Sequence, residues 1–254
     1  MSLRIKQHYQ KENMELQRFE QEVMSAQETR QWAATAFPAL MRKVYVWMAL
    51  ALVITGFTAY GVANSPAILQ MIVSSKVLFF GIIIGELALV WGVSAAIGRL
   101  SLTTATLLFV LYSVLNGVTM SFIFLAYTAE SITSVFLITA GTFAAMALFG
   151  YFTKADLSSM GRILFMALIG LIVATIVNIF MKSSGLAMIL NYVGVLIFVG
   201  LTAWDTQKIK QMLLEAPDAG ETAQKVALMG ALTLYLDFIN LFIHLLRILG
   251  NSRN

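Results

Sequence analysis

Residues 227–249, ALMGALTLYLDFINLFIHLLRIL, form an apolar stretch that carries Thr233, Asp237, Asn240, His244 and Arg247. These five recur at steps of four, three, four and three, so a helix gathers them on one face. The stretch is long enough to cross a bilayer, which takes about 20 apolar residues. An ionised aspartate at mid-bilayer costs about 2.5–3.5 kcal/mol even on insertion scales that allow relaxation. The stripe must therefore face protein or water, never lipid. It has two readings: a path for protons or cations, or a buried central helix whose polar groups hydrogen-bond to neighbours and fix packing.

Working outward, apolar segments near 44–63, 77–98, 104–126, 132–152, 162–181 and 186–206 complete an all-α membrane protein of seven transmembrane helices. Composition agrees. Of 254 residues, 59% are hydrophobic and 12% charged, against about 25% charged in a soluble domain. Seven spans use about 140 residues, which leaves a tail and short loops, hence one bundle rather than an anchor with a soluble enzyme. The chain has no cysteine, which excludes disulfides, thiolate chemistry and Cys-ligated metals. A net charge of +4 spread over loops and tail suits membrane edges and not a nucleic-acid surface.

Two regions follow: a polar N-terminal tail, residues 1–40, and a seven-helix transmembrane domain, residues 41–254. The tail lacks a signal-peptide core, so nothing in it looks cleavable. Leu16, Phe19 and Val23 lie at helical spacing and would suit a surface helix, but the polarity of the segment favours a mobile cytoplasmic tail ending near Pro38. No internal repeat supports an inverted-repeat transporter.

Lys and Arg near the span ends set orientation. Arg42, Lys43, Arg99, Lys154, Arg162, Lys208, Lys210 and Lys225 fall on one side; Lys76, Lys182, Arg247 and Arg253 fall on the other. This bias places the N-terminus inside and the C-terminus outside a cytoplasmic (inner) membrane.

Depth selects the remaining candidates. Asp237 lies about 15 Å into the seventh span at 1.5 Å per residue. No breaker interrupts DTQKIKQMLLEA before Pro217, so the sixth helix can continue to Leu214. Asp205 then lies about 13 Å from its inner end, at matching depth on an adjacent antiparallel helix. Two such carboxylates would share a proton or clasp a cation, since like charges in low dielectric cannot both ionise unaided. If the sixth helix stops at Thr206, Asp205 is merely interfacial. Glu86 in IIIGELALVWG is a third deep carboxylate, about 18 Å from the inner end of the second span. Arg99, at that inner end, either bridges to Asp205 and closes a cytoplasmic exit or anchors the membrane edge. Asn116, with Ser113, Gly117 and Met120, marks a polar close contact, and Asn240 and His244 serve as interhelical glue or path lining. Trp47, Trp91 and Trp204 suit packing or interface belts.

GLTAWDTQKIK, followed about 30 residues later by GALTLYLDFINLFIHLLRILG, resembles the transmembrane Bax inhibitor motif family. NGVTMSFIF and GELALV are also similar to it, and the resemblance covers residues 40–250 or so. It implies a central seventh helix surrounded by the other six, and a pH-sensitive calcium leak of the kind bacterial members provide. By motif, the di-aspartate proton sensor and gate falls on Asp205 and Asp237, which would also be the metal-contacting pair. The arginine latch falls on Arg99 and a pore acid on Glu86. The charged C-terminal stretch of some eukaryotic members is missing from NSRN.

The expectations are therefore a non-enzymatic Ca²⁺ and proton path in the lipid bilayer, with no cofactor. The alternative is a membrane-embedded regulatory protein that binds membrane proteases or stress-response partners. An intramembrane aspartyl protease would pair two aspartates as acid and base, but its YD and GxGD motifs are absent. A retinal pump fails for want of a Schiff-base lysine in the last span.

Overall fold

The computed structural model describes residues 2–216 and 219–253, with little beyond the backbone over 2–34. It contains eight helices among the described residues: α1 (Ser2–Ala63), α2 (Pro66–Ser74), α3 (Lys76–Ala96), α4 (Leu102–Ala126), α5 (Ala129–Phe152), α6 (Ser158–Met181), α7 (Ser184–Leu214) and α8 (Glu221–Leu249). Seven are long and apolar enough to cross a membrane, the first over Thr35–Ala63 of α1. Each expected span has its helix, and this is an all-α multi-pass membrane protein.

Side-chain oxygens set the helix starts. Ser75, Ser101, Thr128 and Ser183 precede α3, α4, α5 and α7, and each accepts a first-turn backbone N–H at 3.1–3.3 Å. The boundaries differ from expectation in three places. The tail expected to be a mobile segment is helical and continuous with the first span. Its run of Glu, Gln, Lys and Ala has high helix propensity, and Pro38 is accommodated inside α1. A short helix, α2, fills the loop before α3, with Pro66 at its first position. Finally, α8 starts at Glu221, six residues before the apolar stretch, because ETAQKV contains no breaker. Asp237 thus sits about 24 Å along α8 and still about 15 Å beyond Ala227, where the apolar stretch begins.

The core is built around α8. Its apolar window is 67% buried, against 6% for α3 and for α6. Direct packing comes from α1, α4, α5 and α7, while α3 and α6 face α8 across cavities. Small residues permit the closest approaches. A Cβ on Gly150 of α5 would run into the Ala203 carbonyl of α7. One on Gly117 of α4 would lie 2.8 Å from the Thr55 carbonyl of α1. Both glycines draw helices together beside the polar residues described next. The C-terminal residues cross the α4–α5 turn: Thr128 N–H donates to the Asn251 carbonyl at 3.2 Å, and Arg253 N–H to that of Ala126 at 2.9 Å.

Candidate functional site

The sixth span does continue as helix to Leu214, nine residues beyond Asp205. That extension carries Asp205 to the level of Asp237 on antiparallel α8, and the two carboxyls lie within hydrogen-bonding reach of each other. Both are buried, at 8% and 4% exposure. Oδ2 of Asp237 is fully buried, with no hydrogen-bond donor among the described residues. Such a group requires a partner, and one proton held between the carboxyls would supply it. The alternative occupant is a cation, which carboxylate oxygens coordinate directly.

Neighbouring residues fix the pair. Gln207, two positions beyond Asp205, accepts from Leu157 N–H at 2.9 Å and donates to the Ala155 carbonyl at 2.8 Å, pinning the α5–α6 turn to α7. Lys210 donates to the Tyr151 carbonyl at 2.8 Å. Lys208, one turn from Asp205, stands 5.0 Å from the centroid of the Trp204 ring. It is the cation whose charge acts on Asp205. The expected Arg99 latch is not formed here. Arg99 is exposed in the turn after α3, its backbone N–H bonded to the Ala96 carbonyl at 2.8 Å. The physical reason is that α3 ends at Ala96 and packs mainly on α4 rather than α7.

A cavity of about 650 Å³ opens outward from the pair between α6, α7 and α8. Asp205, Lys208 and Asp237 line one end, Asn240 lines its course, and His244 and Arg247 line the other. A second cavity of about 330 Å³, between α3, α4 and α8, holds Glu86, Asn116 and Thr119. Leu236, Asn240 and Ile243 border both, so these side chains form the wall between the two spaces along α8. A third of about 200 Å³ adjoins Asn191, His244 and Arg247.

The hydrogen bonds separate path lining from glue. Thr233 and Asn240 donate to carbonyls of their own helix, Met229 at 3.0 Å and Leu236 at 2.8 Å. They tie no neighbouring helix, and they border the cavity. His244 does reach a neighbour, with Nδ1 3.2 Å from Asn191 Oδ1, and it stacks on Phe198 at 5.8 Å between ring centroids. Its role is interhelical as well as cavity-lining.

Glu86 and Asn116 join a buried network that sequence reasoning had only half in view. Thr119 donates to Glu86 Oε1 at 2.8 Å and stands 2.9 Å from the Asn116 carbonyl oxygen. Tyr235 donates to Asn116 Oδ1 at 2.9 Å, and its hydroxyl lies 2.6 Å from Thr55 Oγ1. Thr55 in turn donates to the Ser113 carbonyl at 2.9 Å. One tyrosine thus couples α1, α4 and α8 and, by way of Asn116 and Thr119, the acid of α3. Tyr235 was missed because it reads as one more aromatic in an apolar run. Its placement two residues before Asp237, hence on the opposite helix face, was the available signal. Asn191 and Lys208 were likewise not singled out as site residues.

A bundle built around a polar central helix, with a buried carboxyl pair at the end of a membrane-depth cavity, defines a class of multi-pass membrane protein. Comparison with known proteins gives the family. The family model described as "Inhibitor of apoptosis-promoting Bax1" matches residues 38–254. The chain is 52% identical over 215 residues to inner membrane protein YbhL of Escherichia coli K12, covering 84% of this chain and 92% of that one. It is 45% identical over 214 residues to a Borreliella burgdorferi protein, covering 84% and 92%. A Rickettsia prowazekii protein is also 45% identical, over 216 residues, covering 84% and 90%. The chain belongs to the Bax inhibitor family.

Proposed function

We propose that this protein is a passive, pH-sensitive cation leak path with Ca²⁺ as permeant ion, in which Asp205 and Asp237 act as one site. The observation that carries this reading is the juxtaposition of the two buried carboxyls at the end of the cavity along α8. Carboxylate oxygens suit a hard divalent cation. A proton and a cation compete for those same oxygens, so occupancy of the site depends on pH. The reading assigns transport and no catalysis.

Geometry suggests two arms. Arg247 stands at the outer end of the α6–α7–α8 cavity and opposes a cation there. The cavity at Glu86 has no fixed cation among its lining residues and shares Leu236, Asn240 and Ile243 with the first as a common wall. It is the better cation route toward the pair, with Glu86 as a way station. YbhL is named an inner membrane protein; we place this chain likewise in the inner membrane. The lysine and arginine bias orients it with the N-terminus inside.

The test is Ca²⁺ entry into proteoliposomes of wild type, Asp205→Asn, Asp237→Asn and the double variant. Groups acting as one unit give non-additive losses, so the double variant should be no worse than the weaker single. Wild-type rates in both single variants, from folded protein, would remove the gate and favour a partner-binding role for the chain.

A further inference from the structure

The cavity between α6, α7 and α8 is open to the bilayer. Phe165, Ile172 and Ile176 of α6 border it while remaining 53%, 51% and 51% exposed, and at the depth of a span exposed surface meets hydrocarbon. Leu236 and Ile243 form a half-buried apolar floor on α8. α6 packs mainly on α7, whereas α3, on the other side of the Asn240 line, packs mainly on α4. The two peripheral helices leave a slot between them.

This slot is apolar along most of its lining and ends in a cation. Arg247 is exposed at the outer end of α8, and among the described residues it has no carboxylate partner. The outer chamber it borders carries Thr175, Asn178, Asn191 and His244, and no acid. An apolar trough opening on hydrocarbon, capped by a guanidinium at the headgroup level, matches one kind of molecule in both halves. Arginine is the side chain best suited to a phosphate.

We propose that this slot binds an anionic phospholipid of the outer leaflet, its phosphate against Arg247 and one acyl chain laid over Phe165, Ile172 and Ile176 of α6 and Leu236 and Ile243 of α8. Ten residues separate Arg247 from Asp237, about 15 Å of helix, so the chain end comes to rest beside Trp204, which lines the inner end. The acyl chain covers the apolar side of the slot, leaving the polar stripe to protein and water, and the phosphate neutralises Arg247 at its mouth. The site stands on the slot and Arg247, independently of whether the protein conducts Ca²⁺.

Trp204 provides the reporter. With Trp32, Trp47 and Trp91 replaced by Phe, its fluorescence is followed in liposomes containing a small fraction of phospholipid brominated near the acyl-chain end. Brominated phosphatidylglycerol should quench it with an apparent affinity about two- to fivefold above brominated phosphatidylcholine, the range of an exposed ion pair. The preference should vanish in Arg247→Gln and persist in Arg247→Lys. Thr175→Phe, which fills the slot and leaves Arg247 in place, should reduce quenching by both lipids. A protein that keeps only Trp91, 80% exposed on α3, reports bulk lipid and should show no headgroup preference. Equal quenching of Trp204 by the two lipids, no quenching by either, or a preference that survives Arg247→Gln would overturn the proposal.

Discussion

Gly194 of α7 stands where any side chain would strike His244 of α8: a Cβ there would lie 2.5 Å from both Cε1 and Nε2 of the imidazole. The glycine makes room for the ring, and the ring's bond to Asn191 depends on that room. Gly194→Ala should therefore displace His244 and destabilise the fold by about 1–3 kcal/mol, as overpacking does. Thermal unfolding in detergent measures it. The decisive comparison is with His244→Ala, in whose background the added methyl should cost little. Equal costs in both backgrounds would show that the two residues do not interact.

The carboxyl pair makes a stability prediction separate from transport. Asp237→Asn keeps a donor and an acceptor beside Asp205, so it should fold close to wild type. Asp205→Leu removes the carboxyl that would satisfy Asp237 Oδ2 through a shared proton. Stranding a buried polar group costs about 1–3 kcal/mol. Chemical unfolding should rank Asp205→Leu well below Asp237→Asn; the reverse order would refute the shared proton.

Tyr235 ties α8 to Thr55 and Asn116. Tyr235→Phe keeps the ring packing against Phe109 and Tyr112, with centroids 5.9 and 5.8 Å away, and removes only the hydroxyl. Asn116 and Thr55 then each lose a buried partner, at about 1–3 kcal/mol. Because Asn116 shares a cavity with Glu86 and is linked to it through Thr119, the pH dependence of Ca²⁺ entry should shift in Tyr235→Phe. A stability loss with an unmoved pH profile would confine Tyr235 to packing.

At the α5–α6 turn, Asp156 Oδ1 accepts from Ser158 N–H at 2.9 Å. Hydrogen bonding to Ser158, with a smaller contribution from the Arg162 charge, holds this exposed carboxyl below its ordinary range. The sign follows from that direction. Its stabilisation is present above the unfolded-chain value, about 3.9, and fades as pH falls through the lower folded value. Wild type should exceed Asp156→Ala in thermal stability near neutrality, and the gap should close on acidification below about pH 4. A gap that is constant with pH would assign the loss to something other than the carboxylate.

The legible part of this molecule was its periodic part. The stripe from Thr233 to Arg247 and the unbroken run from Asp205 to Leu214 were enough to bring the two aspartates to one depth. Burial of a polar group in a span leaves few choices of surroundings. The helix in the tail was not legible from polarity, which reports the absence of a core, not of a helix; its residues are good helix formers. Arg99, from its place at the end of the second span, reads as either a bridge to Asp205 or a membrane-edge anchor. The turn after Ala96 is a tertiary fact that spacing does not encode, and so is the Tyr235–Thr55 contact, 180 residues apart in the chain.

The most direct measurement is Ca²⁺ entry into wild-type proteoliposomes stepped from about pH 8 to about pH 6, a range that brackets a carboxyl pair sharing a proton. The account predicts that the rate and the Ca²⁺ concentration needed for half-maximal entry both change across the step, with acid raising that concentration. It also predicts that Asp237→Asn abolishes the response. A wild-type rate identical at both ends, or a response intact in Asp237→Asn, would contradict the claim that the two aspartates form the proton-sensitive cation site.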